Sequence, residues 1–252
     1  MKEQIINEIK AELETRIEEG VEVQFRDVVK NNDVVLKGVV IKKPEENVAP
    51  TIYLDGFIEE LERVVCQLVN KEKNSNRLND APYKEVLDLA AIYRCVVTDE
   101  ENGKGSFVIS NAMMKMYSID IDELHNAALR NMKDEGFKVR SMAEVIADMM
   151  GCEPEDVEDG DMYVLNNTSQ VNGATIMLYV EYFTELAEKV EDDLYILPSS
   201  IHEILAIKAS FGKLEELRNM VREVNDTQVS EEERLSYNVY RYSREDRALM
   251  IA

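Results

Sequence analysis

Leu194-Tyr195-Ile196-Leu197-Pro198-Ser199-Ser200-Ile201-His202-Glu203-Ile204-Leu205-Ala206-Ile207 is two apolar runs parted by a proline and two serines. The runs have the length of strands, and turn-forming residues separate them. The segment reads as strand, bend, strand, over Leu194–Leu197 and Ile201–Ile207. Pro198 ends the first strand because it has no N–H to give to a ladder. The hydroxyls of Ser199 and Ser200 can satisfy backbone groups left open at the bend.

The same pattern recurs on both sides. Val21, Val23 and Phe25 alternate with Glu22, Gln24 and Arg26, the period of a half-buried strand. Lys30-Asn31-Asn32-Asp33 turns the chain into a second strand over Val34–Ile41, giving a hairpin. Asn102-Gly103-Lys104-Gly105 turns Ile92–Val97 into Ser106–Ile109 as another hairpin, and Tyr237–Ile251 reads as a third. Strands are also expected at Thr51–Leu54, Met162–Leu165 and Ala174–Leu178.

Helices are expected where apolar residues recur every three or four positions. These are residues 2–19, Phe57–Leu68, a short piece from 86, a helix capped by Ser118, and one opened by the Ser141/Glu144 capping box. Two more lie near 180–190 and along Leu214, Leu217, Val221 and Val224. Strand pairs outnumber strand–helix–strand alternations. The expected fold class is therefore α+β, a mostly antiparallel sheet with helices packed on it. The chain reads as a single unit, residues 1–252. The polar, Asn-rich stretch from Lys71 to Pro82 marks an internal boundary between two subdomains near 71–85.

Composition excludes more than it assigns. A hydrophobic fraction of 45% suits a folded chain. The 51 acidic residues against 29 basic ones give a net charge of −22, which repels nucleic-acid phosphates and anionic lipid heads. No nucleic acid and no membrane is expected as a partner; a protein is. No run approaches the ~18 apolar residues of a membrane span. Met1 is followed by Lys2 and an amphipathic charged stretch rather than an apolar leader, so the expected location is cytoplasmic. Cys66, Cys95 and Cys152 are far apart and lie in or beside apolar runs, which suits free thiols.

Motifs that carry chemistry are few. The two histidines, His125 and His202, form no HxxxH pair, and His125 reads as a half-buried residue bonded to backbone. The acidic stretch Glu153–Asp161 fails the calcium-loop register, since counting from Glu155 puts Val157 and Asn166 at ligand positions. Gly103-Lys104-Gly105 lacks the spacing of a phosphate-binding loop. No metal and no cofactor is expected. What remains is Ser200 and His202. If Ile201–Ile207 is extended, both project to one face and approach as a nucleophile and base require, while Glu203 points away. The alternative is a serine-rich corner with His202 pinning a neighbouring strand.

Several segments together resemble a bacterial family of unknown function, whose members are cytoplasmic proteins of about this length. They are Lys30-Asn31-Asn32, Pro50-Thr51-Ile52-Tyr53-Leu54, Gly173-Ala174, Leu197-Pro198-Ser199-Ser200-Ile201-His202-Glu203, and Leu235-Ser236 with Val239-Tyr240. They span nearly the whole chain. The last third also resembles another uncharacterised bacterial family in which a Pro-Ser-containing strand follows a helix. Neither resemblance implies an activity. The leading functional expectation is a non-enzymatic protein-binding or adaptor module. A small hydrolase using Ser200 and His202 is the second reading, and an acidic nucleic-acid mimic that inhibits a basic enzyme is the third.

Overall fold

The computed structural model of the protein describes residues 22–29, 35–42, 51–53, 61–99, 103–157 and 161–252. Every strand pair among them is antiparallel, and helices cover the two larger sheets, so the fold class is α+β. The first hairpin is β1 (Glu22–Val29) with β2 (Val35–Lys42), extended by β3 (Thr51–Tyr53). The expected helix over 2–19, the turn at Lys30–Asp33 and the loop framed by Pro44 and Pro50 lie outside the described residues.

A second sheet is built around β6 (Leu89–Asp99), which pairs with β4 (Val64–Asn70), β5 (Tyr83–Val86) and β7 (Gly103–Val108). The third has six strands in the order β13-β12-β10-β11-β9-β8. They are β8 (Phe137–Ser141), β9 (Met162–Asn167), β10 (Leu194–Pro198), β11 (Ile204–Lys208), β12 (Tyr240–Ser243) and β13 (Ala248–Ile251). Six helices accompany them: α1 (Ser75–Asp80), α2 (Asn111–Tyr117), α3 (Ile121–Glu135), α4 (Met142–Met150), α5 (Val180–Val190) and α6 (Leu214–Thr227).

The apolar continuity of β10 and β11 has a direct cause: their sheet is covered on both faces. Leu194, Ile196, Ile204 and Ala206 enter the main core with Phe183, Leu186 and Ala187 of α5. Leu197 and Ile207 face the other way, onto Leu217 and Val221 of α6. A strand buried on both faces loses the polar alternation of a half-buried one. The sheet around β6 is built alike, with α3 packed through Leu124, Ala128 and Met132 on one face and Leu78 of α1 on the other.

Several expectations are corrected. The described part of the expected helix Phe57–Leu68, residues 61–68, is not α-helical. A 3-10 turn at Leu61–Arg63 leads into β4, where Val64, Cys66 and Leu68 alternate into the core. A run with two β-branched residues satisfies helical spacing by chance but packs better on a pleated surface. The piece after 86 is strand as well, because Leu89, Ala90 and Ala91 are buried on opposite faces of β6. Ala174–Leu178 belongs to a 3-10 helix, Gly173–Leu178, buried as far as Met177. Ser118 caps the end of α2 in a left-handed conformation, and Asp120 caps the start of α3 instead. Apart from these corrections, the stretch after β4 leads through α1 into β5 within one sheet. Leu68 and Leu89 share the main core with the six-stranded sheet.

The Ser141/Glu144 capping box is present, with Ser141 N donating to Glu144 Oε2 at 2.6 Å and Glu144 N donating to Ser141 Oγ at 3.2 Å. The hydrogen bond from the Ser141 backbone holds the Glu144 carboxyl below its ordinary value of 4.5. A depressed carboxyl stabilises the fold fully above its unfolded value and less as pH falls through the folded one. Ser141→Ala is therefore expected to cost about 1 kcal/mol at neutral pH. Urea titration should show that difference shrinking once the pH is taken well below 4.5.

Candidate functional site

The corner between β10 and β11 is tighter than the sequence suggests. Ile201–Glu203 is a bend, and β11 begins only at Ile204, so Ser200 and His202 do not share the face of one strand. Ser200 N donates to Glu203 O at 3.1 Å, and His202 N donates to Ser200 Oγ at 3.0 Å. Ser199 Oγ donates to Glu203 Oε1 at 3.3 Å. The serines satisfy the open backbone of the bend, as expected of their type.

His202 reaches across to the loop after β9. Its Nδ1 accepts a hydrogen bond from Asn172 N at 3.1 Å, which places the ring proton of the neutral imidazole on Nε2. That nitrogen faces Glu233 Oε1 at 3.7 Å, too far for a hydrogen bond. The Ser200 hydroxyl meets the backbone of residue 202, not its ring. A general base needs a ring nitrogen within reach of the nucleophile's proton, and here Nδ1 is taken by Asn172.

Backbone contacts draw three segments into this corner. Ala174 N donates to Ile201 O at 3.3 Å, and Ile201 N donates to Glu233 O at 2.9 Å. Gly173 lies so close that a Cβ there would sit 2.3 Å from His202 O and 2.8 Å from Asn167 N. His202→Ala would strand the N–H of buried Asn172 and is expected to cost roughly 1–3 kcal/mol. Ser200→Ala removes one neutral acceptor and should cost less than about 1 kcal/mol. Chemical denaturation of the two variants checks the order.

A second polar cluster was not legible in advance. Asp88, at the turn between β5 and β6, accepts hydrogen bonds from Ser236 Oγ (2.7 Å), Asn238 Nδ2 (3.0 Å) and Tyr240 OH (2.8 Å). The donors are spaced two apart, which in extended chain sets them on one side. That spacing was the available signal, but nothing local pointed to Asp88, about 150 positions away. Burial raises the Tyr240 phenol, and the charge of Asp88 adds to that shift. The cluster ties the β6 sheet to the last strands of the six-stranded one. Asn225 of α6 joins it by donating from Nδ2 to Ser236 O at 2.9 Å.

The remaining candidates fall into place individually. His125 is half-buried beside Leu124, and its Nδ1 lies 3.0 Å from the Tyr93 hydroxyl, a side-chain partner rather than the backbone expected. Burial lowers its pKa. Cys66 and Cys95 are buried free thiols, and Cys152 is partly exposed. Burial pushes Cys66 up to about 12, which keeps it unreactive. Among the described residues no group of three or more His, Cys, Asp or Glu is placed to hold a metal ion. No helix among them is long and apolar enough to cross a membrane.

These features define an α+β protein with antiparallel sheets, in which Gly173-Ala174 and Leu197–Glu203 meet at a hydrogen-bonded corner. The chain belongs to the family of unknown function DUF5688, whose model matches residues 2–63 and 58–244. No curated protein and no solved structure matches the chain.

Proposed function

We propose that the protein is a non-enzymatic binding module of the cytoplasm, an adaptor that works through protein contacts. The observation that carries this reading is the edge of α6 next to the corner. Met220 is 47% exposed and Val224 38%, although both neighbour the buried Leu217 and Val221 on the same helix. Beside them opens a hollow of about 50 Å³, walled by Leu197, Pro198, Leu205, Met220, Val224 and Asn225. Asn225 is 1% exposed, and its Oδ1 has no hydrogen-bond partner among the described residues. An apolar hollow edged by the exposed side chains of Met220 and Val224 suits an inserted side chain of a partner.

Charge supports the same reading. Glu216 and Glu223 lie four before and three after Met220, on the solvent side of the helix, and the chain carries −22 overall. A basic partner would be steered towards this edge. The hydrogen bonding of Ser200 and His202 supports a structural corner that holds the β10 end of the hollow in place.

A photo-crosslinking residue at position 220, compared with one at exposed position 138 on β8, tests this in extract of the source cells. The expected result is one discrete protein adduct from position 220, absent from 138 and lost in Val224→Asp. Equal adducts from both positions, or none from 220, would count against the proposal.

A further inference from the structure

The final hairpin turns through Ser243-Arg244-Glu245-Asp246-Arg247. Ser243 Oγ donates to Asp246 Oδ2 at 2.8 Å, and Asp246 N donates back to Ser243 Oγ at 3.2 Å, which fixes the turn. Arg247 follows at φ +49°, a left-handed position that glycine or asparagine adopts with least strain. Here the residue is an arginine.

Arg244 and Arg247 line a hollow of about 300 Å³ with Glu245, Thr184, Glu188 and Tyr242. Its floor is polar. The Tyr242 hydroxyl lies 2.7 Å from Thr184 Oγ1, which itself donates to Val180 O. Two arginines and two glutamates are thus among the residues lining one space, yet no ion pair joins either arginine to a carboxylate among the described residues. In a chain with 51 acids and 29 bases, two arginines left without an acidic partner on one hollow are a conspicuous use of scarce positive charge.

We propose that this hollow binds a free α-amino acid. The ligand's carboxylate lies against Arg244 and Arg247, and its ammonium group faces Glu188 and Glu245. Arginine is suited to the first role because its planar fork matches a carboxylate. A bare anion would meet the two glutamates and the field of a −22 chain, and a bare cation would meet the two guanidiniums. A zwitterion carries no net charge and complements both pairs. The volume admits a small ligand and little more. The site is on the α5 side of the six-stranded sheet, whereas the α6 hollow is on the other, so the two proposals stand independently.

Titration of the full chain with a panel of free L-amino acids, followed through the Arg244 and Arg247 Nε–H resonances, tests it. At least one amino acid should give saturable shifts, and its methyl ester, its N-acetyl form and inorganic phosphate should not. Arg244→Gln should weaken binding about tenfold or more. Arg247→Gly is the discriminating variant: it relieves the left-handed backbone, so the melting temperature should hold or rise while binding is lost. The proposal is overturned if no amino acid gives saturable shifts, if phosphate or the ester shifts both resonances equally well, or if Arg247→Gly binds like the wild type.

Discussion

Gly173→Ala is expected to lower the stability of the fold by about 3 kcal/mol or more, the cost of forcing a methyl group into a filled site. For a chain of this size that corresponds to a fall in melting temperature of roughly 6–12 °C. The new Cβ would sit 2.3 Å from His202 O, 2.8 Å from Asn167 N and 3.0 Å from Asn166 Cα. All three are backbone atoms, so no side chain can rotate away. Relief requires the loop after β9 to separate from the corner, which breaks the Ala174–Ile201 and Asn172–His202 hydrogen bonds. Thermal unfolding followed by circular dichroism measures the loss, and amide exchange at Asn172 and Ala174 locates it. Gly105→Ala is the matched control, since a Cβ there meets nothing within 4 Å. Equal melting temperatures for the two variants would contradict the packing described.

Asp88→Ala is the second large effect, also about 3 kcal/mol. Hydrogen bonds to a charged acceptor are worth about 1.5–3 kcal/mol each, and buried donors left behind lose their partner. Tyr240 is fully buried and Ser236 nearly so, and both would lose the carboxylate. Tyr240→Phe removes one donor cleanly. A double-mutant cycle of Asp88→Ala with Tyr240→Phe should therefore show coupling of at least about 1 kcal/mol. Asp226→Ala breaks a 2.6 Å bond to the exposed Tyr237 hydroxyl and should stay within about 0.5 kcal/mol. An Asp88 variant as stable as the Asp226 variant would mean that the two sheets are not joined through this carboxylate.

The sequence made some elements plain and misled on others for identifiable reasons. The capping box at Ser141, the helices at 180–190 and 214–227, and the hairpin at the end were readable because each carries a local signal. β4 and the start of β6 carry apolar spacing that suits a helix, yet both are strands. Strands buried on both faces show no alternation, and Ala90-Ala91 favours a helix locally while the sheet overrides it. The 3-10 helix at Gly173–Leu178 is set by the close approach of Gly173 to His202 O, which no neighbouring residue announces.

The corner was found, but its internal geometry was not. The apolar run suggests a strand from Ile201, which would align Ser200 with His202. The bend instead gives the ring to Asn172 and the hydroxyl to the backbone. The Asp88 cluster was missed because its members are about 150 positions apart, although Ser236, Asn238 and Tyr240 stand at alternate positions.

The proposed protein partner docks along α6, and the proposed role of the Ser200–His202 corner is structural. The affinity of the partner captured at position 220 should be measured for Ser200→Ala and Met220→Asp, beside the wild type. Ser200→Ala is expected to bind within about twofold of wild type, whereas Met220→Asp loses tenfold or more. Loss of binding in Ser200→Ala with full binding in Met220→Asp would contradict it.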